Sequence, residues 1–123
     1  MKAFLLFSIG TFLAHAESRP FTVTAHYPAD TLPRPLFLRG NACGLTWDQG
    51  VEMAPISHTD WAVTLTCGPA ETIMEMKALI GGETWMRGGN QRVDVTVGKG
   101  VDMYPWFFKA EGTYRTFDKI HSP

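Results

Sequence analysis

The sequence lacks the pattern of a long helix and any apolar run long enough to cross a bilayer. No stretch repeats apolar residues at helical spacing over three turns, and 12 glycines and 8 prolines are spread along the 123 residues. Glycine and proline interrupt regular elements, and a membrane-spanning helix needs about 20 apolar residues. The sequence therefore favours short strands and predicts an all-β protein without a membrane span.

Motifs that would identify an enzyme are also absent. The chain has no GxSxG, HExxH or P-loop pattern, and no CxxC pair that would indicate a redox catalyst. His26, His58 and His121 are too far apart in the sequence to indicate a metal site. We expect a non-catalytic protein with no cofactor and no metal. An enzyme stays a minor alternative, because it needs a catalytic pair that the sequence does not reveal.

The N-terminus has the pattern of a secretory signal peptide. One positive charge at Lys2 precedes an apolar run over residues 3–13, and the small-x-small sequence Ala-His-Ala follows at residues 14–16. Cleavage after Ala16 leaves 107 of the 123 residues, enough for one domain over residues 17–123. This mature part has 10 Lys and Arg against 12 Asp and Glu, so nothing suggests a nucleic-acid partner.

Cys43 and Cys67 are the only cysteines. Two cysteines in an exported chain predict a disulfide, and hence a secreted or periplasmic protein. The bridge would close a loop of about 25 residues and stabilise the fold by about 3 kcal/mol in the chain-entropy model.

Strand-like runs recur between turn residues, and several alternate apolar and polar side chains. This pattern predicts an immunoglobulin-like β-sandwich of about seven strands. The predicted strands include residues 21–27, 36–39, 61–67, 73–80, 84–87 and 92–97.

The four tryptophans are the most informative residues, because so small a domain needs only one or two of them in its core. Trp61 begins an alternating strand and is predicted to lie in the core. Trp47 lies in a turn-rich loop, where a core position and an exposed ligand-binding position are equally compatible with the sequence. The orientation of Trp85 depends on the hairpin register, which would pair it with Ala78 or with Lys77. Alternation also predicts that Lys77 is an exposed donor, facing away from the core.

Several segments, taken in order, resemble the starch-binding domains of carbohydrate-binding module family 20. The resemblance covers residues 36 to about 97 and depends on order and spacing. The segments are residues 36–41 (Leu-Phe-Leu-Arg-Gly-Asn), 44–48 (Gly-Leu-Thr-Trp-Asp), 61–65 (Trp-Ala-Val-Thr-Leu), 74–77 (Met-Glu-Met-Lys) and 84–90, where Trp85 and Asn90 stand.

The resemblance implies a sugar-binding site at Trp47, Lys77, Trp85 and Asn90, with an α-glucan polysaccharide or malto-oligosaccharide as the partner. Indole rings suit the apolar faces of sugar rings, while ammonium and amide groups suit their hydroxyls. The chain departs from the family pattern at Met86, where a glutamate is typical. It also has no clear counterpart of the family's second sugar site. We expect a free module without an attached catalytic domain, with a separate enzyme or protein as a further partner.

An alternative of another class is a protein-interaction domain that keeps the fold but has lost sugar binding. Its contact surface would be the aromatic segment, which we define as residues 104–108 (Tyr-Pro-Trp-Phe-Phe). The two hypotheses differ in what they expect of Trp47 and Trp85. Exposed, non-parallel rings favour the sugar site, and buried rings favour the interaction domain.

Overall fold

The structure is a computed structural model that describes residues 18–30 and 34–108. Within these residues the chain is all-β, as the sequence predicts, and no helix there is suited to spanning a membrane. The predicted signal peptide and His121 lie outside the described residues.

Nine strands form two sheets in the described part of the chain. One sheet has four strands in the order β4-β5-β1-β9, in which β1 and β9 are parallel. The other has five strands in the order β3-β2-β6, with β7 and β8 both pairing with β6. The strands are Arg19–His26 (β1), Leu36–Gly40 (β2), Val51–Glu52 (β3), Ala54–Ser57 (β4), Asp60–Cys67 (β5), Ile73–Ile80 (β6), Thr84–Trp85 (β7), Gln91–Asp94 (β8) and Gly100–Met103 (β9).

The core is formed by alternate residues of the central strands, as expected for a β-sandwich. Trp61 is 4% exposed, which confirms it as a core residue, and the predicted Cys43–Cys67 disulfide is formed. The predicted inner face of β6 is confirmed too. Its buried side chains are Met74, Met76, Ala78 and Ile80.

The opposite, outer face of β6 carries Glu75, Lys77 and Leu79. Leu79 is fully buried although it is not part of the core cluster. Its cross-strand partners are Phe37 on β2 and Trp85 on β7, and directly opposed residues project on the same side of a sheet. A small apolar group therefore lies on the outside of the five-stranded sheet, with Trp85 at its edge.

The register of Trp85 differs from both sequence-based alternatives. Trp85 pairs with Leu79, and Thr84 pairs with Ile80, so the turn between β6 and β7 has three residues. The prediction that Trp85 pairs with Ala78 or Lys77 was wrong, because neither alternative places a three-residue turn directly after Ile80. The consequence is that Trp85 projects from the outer face of the sheet.

A four-residue bulge separates β7 from β8. The Met86 amide donates to the Ala78 carbonyl, and Gln91 pairs with Met76, so residues 87–90 all lie opposite Lys77. We call these four residues the bulge loop. Gly88 has a positive φ of 85°, which favours glycine at this position.

Candidate functional site

Trp47 and Trp85, here called the indole pair, lie side by side on the outer face of the five-stranded sheet. Their ring centroids are 6.3 Å apart and their planes meet at 38°. Trp47 is 37% exposed and Trp85 is 40% exposed. The two rings therefore form a tilted apolar surface that is open to solvent.

Trp47 is positioned by the loop that follows β2. Leu45 and Cys43 bury their side chains on the core side of this loop. The Gly40 amide donates to the Thr46 carbonyl at 3.2 Å, which closes the loop directly before Trp47. A side chain at Gly40 would place its Cβ 2.5 Å from the Glu75 carbonyl oxygen, so this approach requires glycine.

The bulge loop is held by two side chains from the outer face of β6. The Lys77 ammonium donates to the Gly88 carbonyl at 2.8 Å, and the Asn90 amide donates to the Glu75 carboxylate at 2.9 Å. Lys77 is half-buried, so it is less exposed than the sequence predicts. Its two other ammonium hydrogens and the Asn90 carbonyl have no hydrogen-bond partner among the described residues. They are therefore available to a ligand.

The four predicted site residues form two groups. Trp47 contacts Trp85, whereas Lys77 and Asn90 are connected through the bulge loop. Arg39 links the groups, because it pairs with Lys77 across the strands, donates to the Trp47 backbone carbonyl and lies over the Trp85 ring. Sequence reasoning missed Arg39, although the alternation of β2 places it on the outer face.

Met86, the residue that departs from the family pattern, is buried. Its amide donates to the Ala78 carbonyl, and its sulfur accepts from the Ala78 amide at 3.2 Å. Because Trp85 projects outward, its neighbour Met86 projects inward. Met86 therefore contributes packing to the core and lies away from the indole pair.

Glu71 forms hydrogen bonds that hold the start of the Trp47 loop beside the disulfide. Its carboxylate accepts from the Cys43 amide at 2.8 Å and from the Gly68 amide at 2.7 Å. The hydrogen bond from Cys43, followed by that from Gly68, holds the pKa of Glu71 below its ordinary value of 4.5. Cys43 itself has a φ of 56°, a left-handed conformation that is uncommon outside glycine.

Beside the disulfide lies the one group of potential metal-ligating side chains among residues 18–30 and 34–108. Ligand-type atoms of Cys43, Cys67 and Glu71 lie within 4.8 Å of one another. The two sulfurs are bonded to each other, and the carboxylate is used by backbone amides. The cluster is thus structural.

The aromatic segment packs mainly against the sandwich. Phe107 is buried and meets Tyr27 edge to face, with ring centroids 5.1 Å apart. Arg87 donates its amide to the Trp106 carbonyl and its side-chain Nε to the Phe107 carbonyl. The segment therefore holds the bulge loop at Arg87.

A second polar group lies on the outer face of the four-stranded sheet. His26 bonds Asp60 through Nδ1 at 2.7 Å and Asp102 through Nε2 at 2.9 Å, and its ring stacks on Tyr104. Burial alone would lower the pKa of His26, but the hydrogen bonds to Asp102 and Asp60 outweigh it and raise the pKa. These contacts join β1, β5 and β9.

Comparison with known proteins gives neither a protein-family model nor a curated sequence that matches this chain. The resemblance to starch-binding domains therefore stays a prediction from the sequence segments that carry it. Any functional conclusion must depend on the geometry of the site.

Proposed function

We propose that this protein is a non-catalytic carbohydrate-binding module that recognises α-glucan of the starch or glycogen type. The observation that supports this most strongly is the exposure and tilt of the indole pair. Sugar rings have apolar faces that stack on indoles, and two rings set at 38° suit a curved chain better than a flat one.

Polar groups beside the indole pair support the same proposal. Lys77 offers further donors and Asn90 offers an acceptor, and both are fixed by hydrogen bonds to the protein. Donors that are ordered before binding lose less entropy when a ligand arrives. An open site of this kind is consistent with a micromolar affinity, or roughly −7 to −8 kcal/mol.

The Cys43–Cys67 disulfide supports the further proposal that the protein acts in an oxidising compartment, secreted or periplasmic. The protein-interaction alternative expects buried rings at Trp47 and Trp85. Both rings are more than one third exposed, which favours the sugar site.

Titration calorimetry on the purified, oxidised protein tests the proposal. We expect saturable heat with β-cyclodextrin and none with a cello-oligosaccharide. Trp47→Ala and Trp85→Leu should abolish the heat. Leucine is chosen at Trp85 because it keeps Leu79 covered while it removes the stacking ring.

Tyr104→Ala is the matched control, since Tyr104 is an aromatic residue of similar exposure (41%) that directly follows β9 of the other sheet. It should bind β-cyclodextrin as the wild type does. Equal binding of both sugars would refute recognition of α-glucan, and silence with both from a folded sample would refute the sugar site itself.

A further inference from the structure

Arg39 lies between the two halves of the candidate site. It is half-buried on the outer face of β2, directly opposite Lys77. Its Nη1 donates to the Trp47 carbonyl at 3.1 Å, and its guanidinium carbon lies 5.3 Å from the centre of the Trp85 ring. One side chain thus contacts both members of the indole pair.

The two indoles come from different segments, and the backbone holds each segment to β6 but not to the other. Trp47 comes from the loop after β2, and Trp85 comes from β7, on the far side of β6. In the described part of the chain, no backbone hydrogen bond joins that loop to β7. Apart from the contact between the rings themselves, Arg39 is the side chain among the described residues that bridges the two tryptophans, through a hydrogen bond to the Trp47 backbone carbonyl and a cation–π contact with the Trp85 ring.

We propose that Arg39 is a positioning residue that sets the separation and tilt of the indole pair, and so selects the curvature of the glucan. The selection of curvature rests on the proposed function, whereas the positioning of the rings does not. Arginine suits this role because its planar group can donate in its plane and stack on an indole at the same time.

Arg39 Nε is buried and has no hydrogen-bond partner in residues 18–30 and 34–108. An unpartnered buried donor is unfavourable. It is tolerated here because the same guanidinium makes both contacts to the indole pair. A lysine has no planar group, so it cannot make the hydrogen bond to the Trp47 carbonyl and stack on the Trp85 ring at the same time.

Circular dichroism of the ligand-free protein reports the relative geometry of the two indoles. A residue that only stabilises the fold would not change this signal. Two indoles at this distance produce an exciton couplet, which Trp47→Phe identifies by removing it. We expect Arg39→Ala and Arg39→Lys to reduce the couplet while the unfolding midpoint remains close to that of the wild type. Arg34→Ala is the matched control, since this arginine pairs with Glu83 and should leave the couplet unchanged.

The sugar titrations test the selection of curvature. Both Arg39 variants should bind β-cyclodextrin about tenfold more weakly, or about 1.4 kcal/mol, and the ratio of cyclic to linear α-glucan affinity should fall. A couplet unchanged in both variants would overturn the proposal, as would full couplet and affinity in Arg39→Lys. If Arg39→Ala does not fold, Arg39→Lys alone decides. If the wild type binds no sugar, the glucan function fails, and the couplet still decides the positioning role.

Discussion

Replacing Glu71 by glutamine should destabilise the protein by removing a charged acceptor from two backbone amides. The carboxylate accepts from Cys43 and Gly68, and a hydrogen bond to a charged group is worth about 1.5–3 kcal/mol. Glutamine keeps one acceptor but turns its amide group towards the other donor. Since the site is partly solvated, we expect a net loss of about 2 kcal/mol, or about 8 °C in midpoint for a domain of this size.

Thermal unfolding followed by circular dichroism, with the disulfide intact, measures this loss. Because folding lowers the pKa of Glu71, its stabilisation is present above the unfolded pKa of 4.5 and is lost as pH falls through the lower folded value. The difference between wild type and Glu71→Gln should therefore be largest near neutral pH and should shrink in acid. The control is Glu52→Gln, which changes an exposed glutamate in β3. Equal midpoints for wild type and Glu71→Gln at neutral pH would refute the argument.

Two further predictions concern the other polar contacts. Folding raises the pKa of His26 between Asp60 and Asp102, so its stabilisation is complete below the ordinary pKa of 6.5 and is lost as pH rises through the folded value. The difference in urea unfolding midpoint between wild type and His26→Gln should decrease at high pH. An increase in this difference would contradict the prediction. Lys77→Met should remove the bond to Gly88, speed amide exchange in the bulge loop and weaken sugar binding, with only a small change in unfolding midpoint. Unchanged exchange would argue against this role.

The strands that the sequence predicts well are those with a strong alternating pattern and two paired neighbours. Residues 73–80 are strand β6 as predicted, and the core position of Trp61 is confirmed. The sequence missed the two-residue strand β3 as well as β4 and β9. Every residue of β4 is exposed, so that strand has no alternation to detect. Four-residue β9 depends on parallel pairing with β1, about 80 positions earlier, which no local pattern reveals.

The site is harder to predict than the fold, because its geometry depends on register. Alternation correctly put Lys77 on the outer face of β6, but only the three-residue turn determines that Trp85 projects on the same side. The bulge loop, with its four residues opposite Lys77, likewise has no signal beyond a pair of glycines. Whether Trp47 is exposed could not be settled from a loop without periodicity.

The outer face of β6 explains why these parts form one site. Its alternate residues hold the bulge loop and β7: Glu75 binds Asn90, Lys77 binds Gly88, and Leu79 pairs with Trp85. Successive outward residues are about 6.7 Å apart along a strand, so the three anchors are evenly spaced on a rigid support. The inner face of the same strand lies in the core. The core packing that stabilises the sandwich therefore also fixes the spacing of these three anchors.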